Sequence, residues 1–185
     1  MPTNLIGTFA GRVQLEKVRP DEAVTVAVTV KSGFIVKQGD VIGEITASGL
    51  YRRRTRATVN TGAFATNAAT GQVLDASVFA VGDVLKNAAG DTVGTIQSID
   101  LTTTPHTITL TGNAAEAVAV AADVIGSDGS QVAKGISGKE TDGTQDTPID
   151  VFIGGFLDES KLRGLDASAK TELNGASVAG GIFKL

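Results

Sequence analysis

Four arginines stand within five positions of the chain: Arg52, Arg53, Arg54 and Arg56, in the stretch YRRRTR. Guanidinium groups bind phosphates and carboxylates through paired hydrogen bonds, so the run suits nucleic acid or an acidic protein surface. A charge run can also be a solvated face. Residues 1–60 carry a balance of +4 and residues 61–185 one of −8, within a net charge of −4. This overall balance argues against a general nucleic-acid coat.

The residues that usually perform catalysis or bind metals are sparse. The chain has no cysteine, which excludes thiol catalysis and zinc sites of the cysteine type. Its single histidine, His106, follows Pro105, and we expect an exposed turn histidine there. No nucleophile elbow, phosphate loop or dinucleotide motif occurs, and Asp142, Asp146 and Asp150 lack the spacing of a calcium loop. We therefore expect no enzyme, no cofactor and no metal site.

No segment of the sequence indicates a membrane span. The N-terminal stretch MPTNLIGTFAGRV has neither a basic start nor a sustained apolar run, so no signal peptide is indicated. The most apolar segment, AAEAVAVAADVI, is interrupted by Glu116 and Asp123 and is shorter than the roughly 20 residues that a spanning helix needs. We expect a soluble protein without a membrane partner.

The chain is rich in short strand signals closed by glycine turns. Valines alternate with small residues over AVTVAVTV, which predicts a strand. Gly39-Asp40 and Gly82-Asp83 each lie between short apolar runs, and the stretches GDVI, GDVL and ADVI repeat one turn-and-strand motif. HTITLTG predicts a further strand, and IDVFIGGFL predicts one that Gly154-Gly155 interrupts. The fold class is therefore mainly β.

Only the C-terminal part predicts a helix. Leu165, Ala169 and Leu173 are spaced to share one helical face, Asp166 precedes them as a cap, and Gly175 stands where the helix should stop. A shorter helical turn is expected after Asp158. The last residues, VAGGIFKL, predict a final apolar strand or tail.

Three stretches of the sequence resemble one known family when they are read together. They are GDVIGEITASGLY at 39–51, SDGSQVAKGI at 127–136 and DVFIGGFLDESKLRGLDASAKTELNGASVAGGIF at 150–183. Their pattern and order are similar to those of the lambda-type phage head decoration proteins, also called capsid cement proteins. The resemblance covers about half of the chain, and its second and third blocks are the more specific.

The spacing of the blocks departs from the family pattern. In the family only a few residues separate the tyrosine block from the DGS block, whereas here about 75 do so. The intervening residues have strand and turn signals of their own, and insertions are tolerated at loop tips. We therefore predict an N-terminal arm at 1–20, a discontinuous decoration-protein core at 21–51 and 127–185, and a small inserted β domain at 52–126.

The resemblance implies a function as well as a fold. It implies a β-clip-like core that assembles as a homotrimer on the outer surface of the expanded virion head, at three-fold and quasi-three-fold sites. There the trimer would bind the major capsid protein and stabilise the head against internal DNA pressure. The arm would add a strand to a capsid element, with Leu5, Ile6, Phe9 and Val13 as candidate anchors. A strand packed on the protomer's own core is an equal alternative for these four residues.

Two further hypotheses concern the insert and the arginines. The core could be a pedestal for a host-surface or carbohydrate-binding module, although the insert offers only Phe64 and Phe79 for stacking on sugars. A protein on the outside of the head would have no access to packaged DNA, so the resemblance implies no direct nucleic-acid contact. The arginines then become a basic connector at the domain boundary, with acidic partners on the capsid or in the rest of this chain.

Overall fold

The computed structural model of the chain describes residues 24–175 and 183–184. The described part is mainly β with one short α-helix near its C-terminal end, which confirms the predicted fold class. The predicted arm at 1–20, with Leu5, Ile6, Phe9 and Val13, lies outside the described residues. No described helix is long and apolar enough to cross a membrane.

The first sheet is built from both ends of the chain. Its strands are β1 (Val24–Val30), β2 (Val41–Ile45), β3 (Leu50–Arg53), β10 (Gly135–Ser137), β11 (Thr147–Phe156) and β12 (Phe183–Lys184). Their order is β1-β3-β2-β10-β11-β12, and β1 also pairs antiparallel with β11. This extra pairing closes five of the strands into a small barrel, which we call the core barrel.

The second sheet uses only the middle of the chain. Its strands are β4 (Arg56–Thr58), β5 (Thr70–Val73), β6 (Val84–Asn87), β7 (Thr92–Asp100), β8 (His106–Leu110) and β9 (Asp123–Ile125). They lie in the order β4-β9-β6-β7-β8-β5, and a bridge between Val59 and Val73 joins the two ends. We call this closed unit the inserted barrel.

Each barrel has its own apolar interior. Fifteen buried residues, among them Phe64, Leu85, Ile96 and Ile108, fill the inserted barrel. Successive residues of a strand point to opposite sides, and the first sheet contributes to an apolar cluster on each of its faces. One face forms the cluster of Val30, Val36, Ile42, Ile149, Val151 and Ile153. The other packs on the C-terminal helix through Val41, Ala133, Ile136, Phe152, Leu157, Ala169 and Leu173.

The local predictions from turns and caps are largely confirmed. Gly39 and Gly82 have φ of 87° and 90°, a conformation that glycine adopts without a Cβ clash. Asp158 caps the 3₁₀ turn Glu159–Lys161. Helix α1 (Ala167–Gly175) begins after Asp166, whose Oδ1 accepts a hydrogen bond from the Ala169 N–H (2.6 Å).

Two local predictions are wrong. Strand β11 continues through Gly154 and Gly155. Its register against β1 shifts between Thr25 and Val24, so that Gly154 still pairs with β1, and Gly155 pairs with β12. His106 is the first residue of β8 and only 20% exposed, where Nδ1 accepts a hydrogen bond from the Ala76 N–H (3.0 Å). In the described fold, His106 therefore provides the hydrogen-bond acceptor for the Ala76 N–H of a loop.

Candidate functional site

The arginine run lies where the chain passes from one barrel to the other. Strand β3 ends at Arg53 and β4 begins at Arg56, so the predicted boundary at Arg52 falls inside a core strand. The chain returns beside its point of departure, since the Gly126 N–H donates to Thr55 O (2.9 Å) and the Thr55 N–H to Ser130 O (3.3 Å). Residues 56–125 therefore leave and rejoin the core at a single place.

Arg52 is the most deeply buried of the four arginines, with 1% of its surface exposed. Its Nη1 and Nη2 donate to the two carboxylate oxygens of Asp83 (3.1 and 2.8 Å), a paired geometry that fixes the orientation of both groups. Nη2 also donates to Val78 O (2.8 Å), and Nη1 to Asp128 Oδ2 (3.2 Å). The guanidinium carbon lies 3.9 Å from the centre of the Phe34 ring. A core strand thereby binds a turn of the inserted barrel.

Arg54 connects the junction to the C-terminal helix. It is 3% exposed, and its Nη1 and Nη2 donate to Asp166 Oδ2 (2.8 Å) and Glu172 Oε1 (3.0 Å). Nε donates to the Gln131 carbonyl (3.0 Å), and Glu172 Oε2 accepts from the Ala133 N–H (2.6 Å). The helix is therefore held to the returning chain by one shared network of charges.

Arg53 is partly exposed and faces the other side of β3. Its Nη1 donates to Ser77 Oγ (2.7 Å) and its Nη2 to Asp75 Oδ2 (3.0 Å), both in the inserted barrel. Its Nε lies 3.4 Å from Oδ2 of the core residue Asp40. Arg53 thus joins a carboxylate of each barrel.

Arg56 completes the network at the start of β4. Its Nε donates to Asp123 Oδ2 (2.9 Å), and its Nη1 to Ser168 Oγ in α1 (3.1 Å). Asp123 also accepts from the Thr58 hydroxyl (2.8 Å), which orients the carboxylate toward the arginine. Through Arg56 the inserted barrel is therefore in contact with the helix of the core.

Two sequence features that look unrelated are the two halves of this network. The motifs GDVI, GDVL and ADVI contribute Asp40, Asp83 and Asp123. These aspartates contact Arg53, Arg52 and Arg56 respectively. Sequence reasoning noticed the motifs and the arginines but did not pair them. The sequence does contain a signal for a shared role of the three aspartates, because each one follows a tight turn and stands at the start of a strand.

Burial has the largest effect on the pKa of Asp40. Desolvation raises the pKa of this carboxyl, and the Lys37 N–H and the Arg53 and Arg163 guanidinium groups offset only part of the effect. Oδ2 accepts from the Lys37 N–H (2.7 Å). Oδ1 lies 2.9 Å from Arg163 Nε, but the geometry there is not that of a hydrogen bond, so this buried oxygen is left unsatisfied. The short distance still provides electrostatic attraction.

The opposite shift occurs at Asp166. Burial raises the pKa of this carboxyl, but the Ala169 N–H and the guanidinium groups of Arg54 and Arg56 outweigh it, and the pKa lies below its ordinary value. The ionised form of Asp166 is therefore the form that the folded junction stabilises.

This arrangement fixes the relative position of two barrels. All four guanidinium groups are bonded to carboxylates of the same chain, and those of Arg52 and Arg54 are buried. Acidic residues of this chain are thus partners of the predicted basic connector, and the solvated-face interpretation is wrong for Arg52 and Arg54. Because these two side chains are buried, neither is accessible to a nucleic-acid phosphate.

Within the described part of the chain, the aromatic and acidic candidates do not form a sugar-stacking or metal-binding site. Phe64 and Phe79 are 0% and 6% exposed in the interior of the inserted barrel, so neither offers a face for stacking on a sugar. Within residues 24–175 and 183–184, no group of three or more histidine or acidic side chains is arranged to hold a metal ion.

Comparison with known proteins leaves the resemblance as a hypothesis. No family model, no curated protein and no solved structure matches the chain.

Proposed function

We propose that this protein is a phage head decoration protein, which binds as a homotrimer to the outer surface of the expanded head and stabilises it. The observation that carries the proposal is the way the three family-like blocks come together. Residues 39–51 and 127–136 are far apart in sequence, yet the Lys134 N–H donates to Ile42 O (2.9 Å) and the Thr46 N–H to Asp128 O (2.8 Å). They form neighbouring parts of one sheet, as a short loop between them would require.

The third block adjoins the first two in the same sheet. Strand β11 pairs with β10, and the Val41 N–H donates to Arg163 O while the Arg163 N–H donates to Gly39 O, both at 2.9 Å. The described residues of the three family-like blocks are thus continuous in space. The inserted barrel is attached at one place and leaves this continuity intact.

The junction also suits a protein under mechanical load. A flexibly tethered insert would move independently of the core, whereas here the buried Arg52–Asp83 ion pair and the Arg53–Asp75 pair beside it hold the insert in one orientation. Closed barrels present few free strand edges, which limits unwanted pairing between copies crowded on a surface. Both features support a structural role on the virion.

The proposal is tested with heads of the virus that encodes the chain. The purified protein is expected to have the mass of three 18.8 kDa chains by light scattering. It is expected to sediment with expanded heads but not with unexpanded ones, and cryo-electron microscopy should show added density at the three-fold and quasi-three-fold positions. A monomer that fails to bind expanded heads would contradict the proposal.

A truncation separates the arm from the folded core. Removal of residues 1–20 is expected to leave the trimer intact and to abolish binding to expanded heads, because the arm is the proposed capsid-binding segment. Full binding by the truncated protein would assign the contact to the core instead. The circular-dichroism spectrum and thermal unfolding of both proteins serve as the folding control.

A further inference from the structure

A cleft of about 450 Å³ opens between the two barrels beside the arginine junction. Its walls come from the loop after β1, which carries Phe34 and Ile35, from Arg53 of β3 and from the loop of the inserted barrel that includes Val78. Arg163, just before α1, closes one end. We call this space the junction cleft. It combines an apolar wall with charged groups, as binding sites commonly do.

A buried hydrogen-bond acceptor lines the cleft. Asp40 is 2% exposed, and its Oδ1 accepts no hydrogen bond within the described residues although Arg163 Nε lies 2.9 Å away. The atom has less than 1 Å² of accessible surface, so a ligand cannot reach it, and the carboxylate is paired instead with the Arg53 and Arg163 guanidinium groups. Asp40 therefore lies behind the cationic rim of the cleft and is not itself a contact for a ligand.

The rim of the cleft carries excess positive charge in an otherwise acidic protein. Lys37, Arg53 and Arg163 line it, against the carboxylates of Asp40 and Asp75. Lys37 is exposed and makes no ion pair with any described residue, and the Arg163 side chain is 43% exposed. These two cations are therefore accessible to an anionic group of a ligand.

An exposed apolar side chain stands beside these charges. Ile35 is 58% exposed at the cleft, where it continues the apolar surface formed by Phe34 and Val78. A single exposed isoleucine is ordinary on a protein surface. Its position next to the accessible cations Lys37 and Arg163 makes it part of a site with both apolar and charged groups.

We propose that the junction cleft binds an extended peptide segment of a partner protein, with an acidic side chain next to an apolar one. The carboxylate would accept hydrogen bonds from Lys37 and Arg163, and the apolar side chain would pack on Ile35. An inorganic phosphate would fit less well, because it has no apolar group to pack on Ile35. Binding of such a segment requires only the folded chain and does not depend on attachment to a viral head.

The test uses short capped peptides and two-dimensional amide NMR of the full chain. The probes are heptapeptides with a central glutamate flanked by leucine, valine or phenylalanine, each paired with a control in which glutamine replaces the glutamate. The amide signals of Ile35, Lys37 and Arg163 are expected to shift on titration. Loss of the carboxylate is expected to weaken binding about tenfold, the equivalent of one charge-assisted hydrogen bond.

Matched variants locate the contact. Arg163→Gln is expected to weaken binding of the glutamate peptide about tenfold and to bring it close to the glutamine control. Lys161→Gln removes another exposed charge two residues away, and binding should be unchanged. Ile35→Ser should weaken binding of both peptides alike. The amide spectra of the free variants, compared with that of the parent chain, report whether each one is folded.

Three results would overturn the assignment. The first is the absence of shifts with all of the peptides at millimolar concentration. The second is equal affinity for the glutamate and glutamine forms, or shifts confined to residues away from the cleft. The third is an inorganic phosphate titration that moves the same signals at equal or lower concentration, which would reduce the cleft to a general anion site.

Discussion

Replacing Arg52 with methionine should destabilise the protein substantially, because the change leaves a carboxylate at the junction without its cationic partner. Methionine keeps an apolar stem against Phe34, but it leaves the Val78 carbonyl without its side-chain donor and Asp83 without its cationic partner, with only the Ala80 N–H still donating to that carboxylate. Breaking a buried ion pair from one side costs about 3–5 kcal/mol. The side chains of Asp83 and Asp128 are 18% and 29% exposed, so water can solvate part of the stranded charge. We therefore expect a loss of about 3 kcal/mol.

Urea unfolding followed by circular dichroism measures this loss. The variants Arg52→Met, Asp83→Asn and the double variant form a thermodynamic cycle, from which we expect a coupling free energy of at least about 1 kcal/mol. The matched control is Lys170→Met, which breaks an ion pair with Glu159 whose partners are 40% and 42% exposed. An exposed pair of this kind is worth less than about 1 kcal/mol.

The reasoning would be refuted by an Arg52→Met protein that unfolds at the same urea concentration as the Lys170→Met control. It would also be refuted by a coupling free energy near zero, since the paired hydrogen bonds would then contribute nothing specific. Either result would mean that apolar packing, and not the ion pairs, holds the two barrels together.

Three further changes test other parts of the structure. Arg54→Gln should raise amide hydrogen exchange in α1 and leave the interior of the inserted barrel protected, because the ion pairs that it breaks are those with Asp166 and Glu172. An equal rise of exchange in both parts would contradict this. Gly43→Ala should cost about 3 kcal/mol in urea unfolding, because the new Cβ would lie 2.0 Å from Ser130 O, whereas Gly112→Ala, with open space around it, should be neutral. Stability should fall as the pH drops below about 4, because a carboxyl whose pKa is lowered by folding stabilises the protein only while ionised. In the Asp166→Asn variant, the free energy of unfolding should fall less steeply as the pH drops below about 4. An unchanged dependence of stability on pH would show that Asp166 is not responsible.

The elements that are determined by residues close together in the sequence could be predicted from it. The alternating valines of β1, the glycine turns before β2 and β6, and the cap and apolar face of α1 all lie where the pattern indicates. Backbone sterics and side-chain periodicity act over a few residues, so a single sequence contains the information. Even there the glycine pair in β11 was misinterpreted, because pairing with β1 and β12 maintains the strand.

The candidate site could not be predicted in the same way. The Arg52 and Asp83 side chains are 31 positions apart, and Arg54 and Glu172 are 118 apart. Guanidinium and carboxylate groups have the same chemistry wherever they occur, so composition suggested acidic partners without naming them. The pairing follows from closure of the two barrels and from the contact of Thr55 with Ser130 and Gly126.

The sequence by itself determined the strands, the turns and the presence of a basic run in an acidic chain. Only the tertiary structure decided that Arg52 and Arg54 are buried and that all four arginines pair with carboxylates of the same chain. A buried charge is tolerated when it is paired and hydrogen-bonded, and its partners come from strands and a helix that meet only after folding. The junction is therefore a property of the closed barrels, whereas each strand that builds them was already visible in the order of the residues.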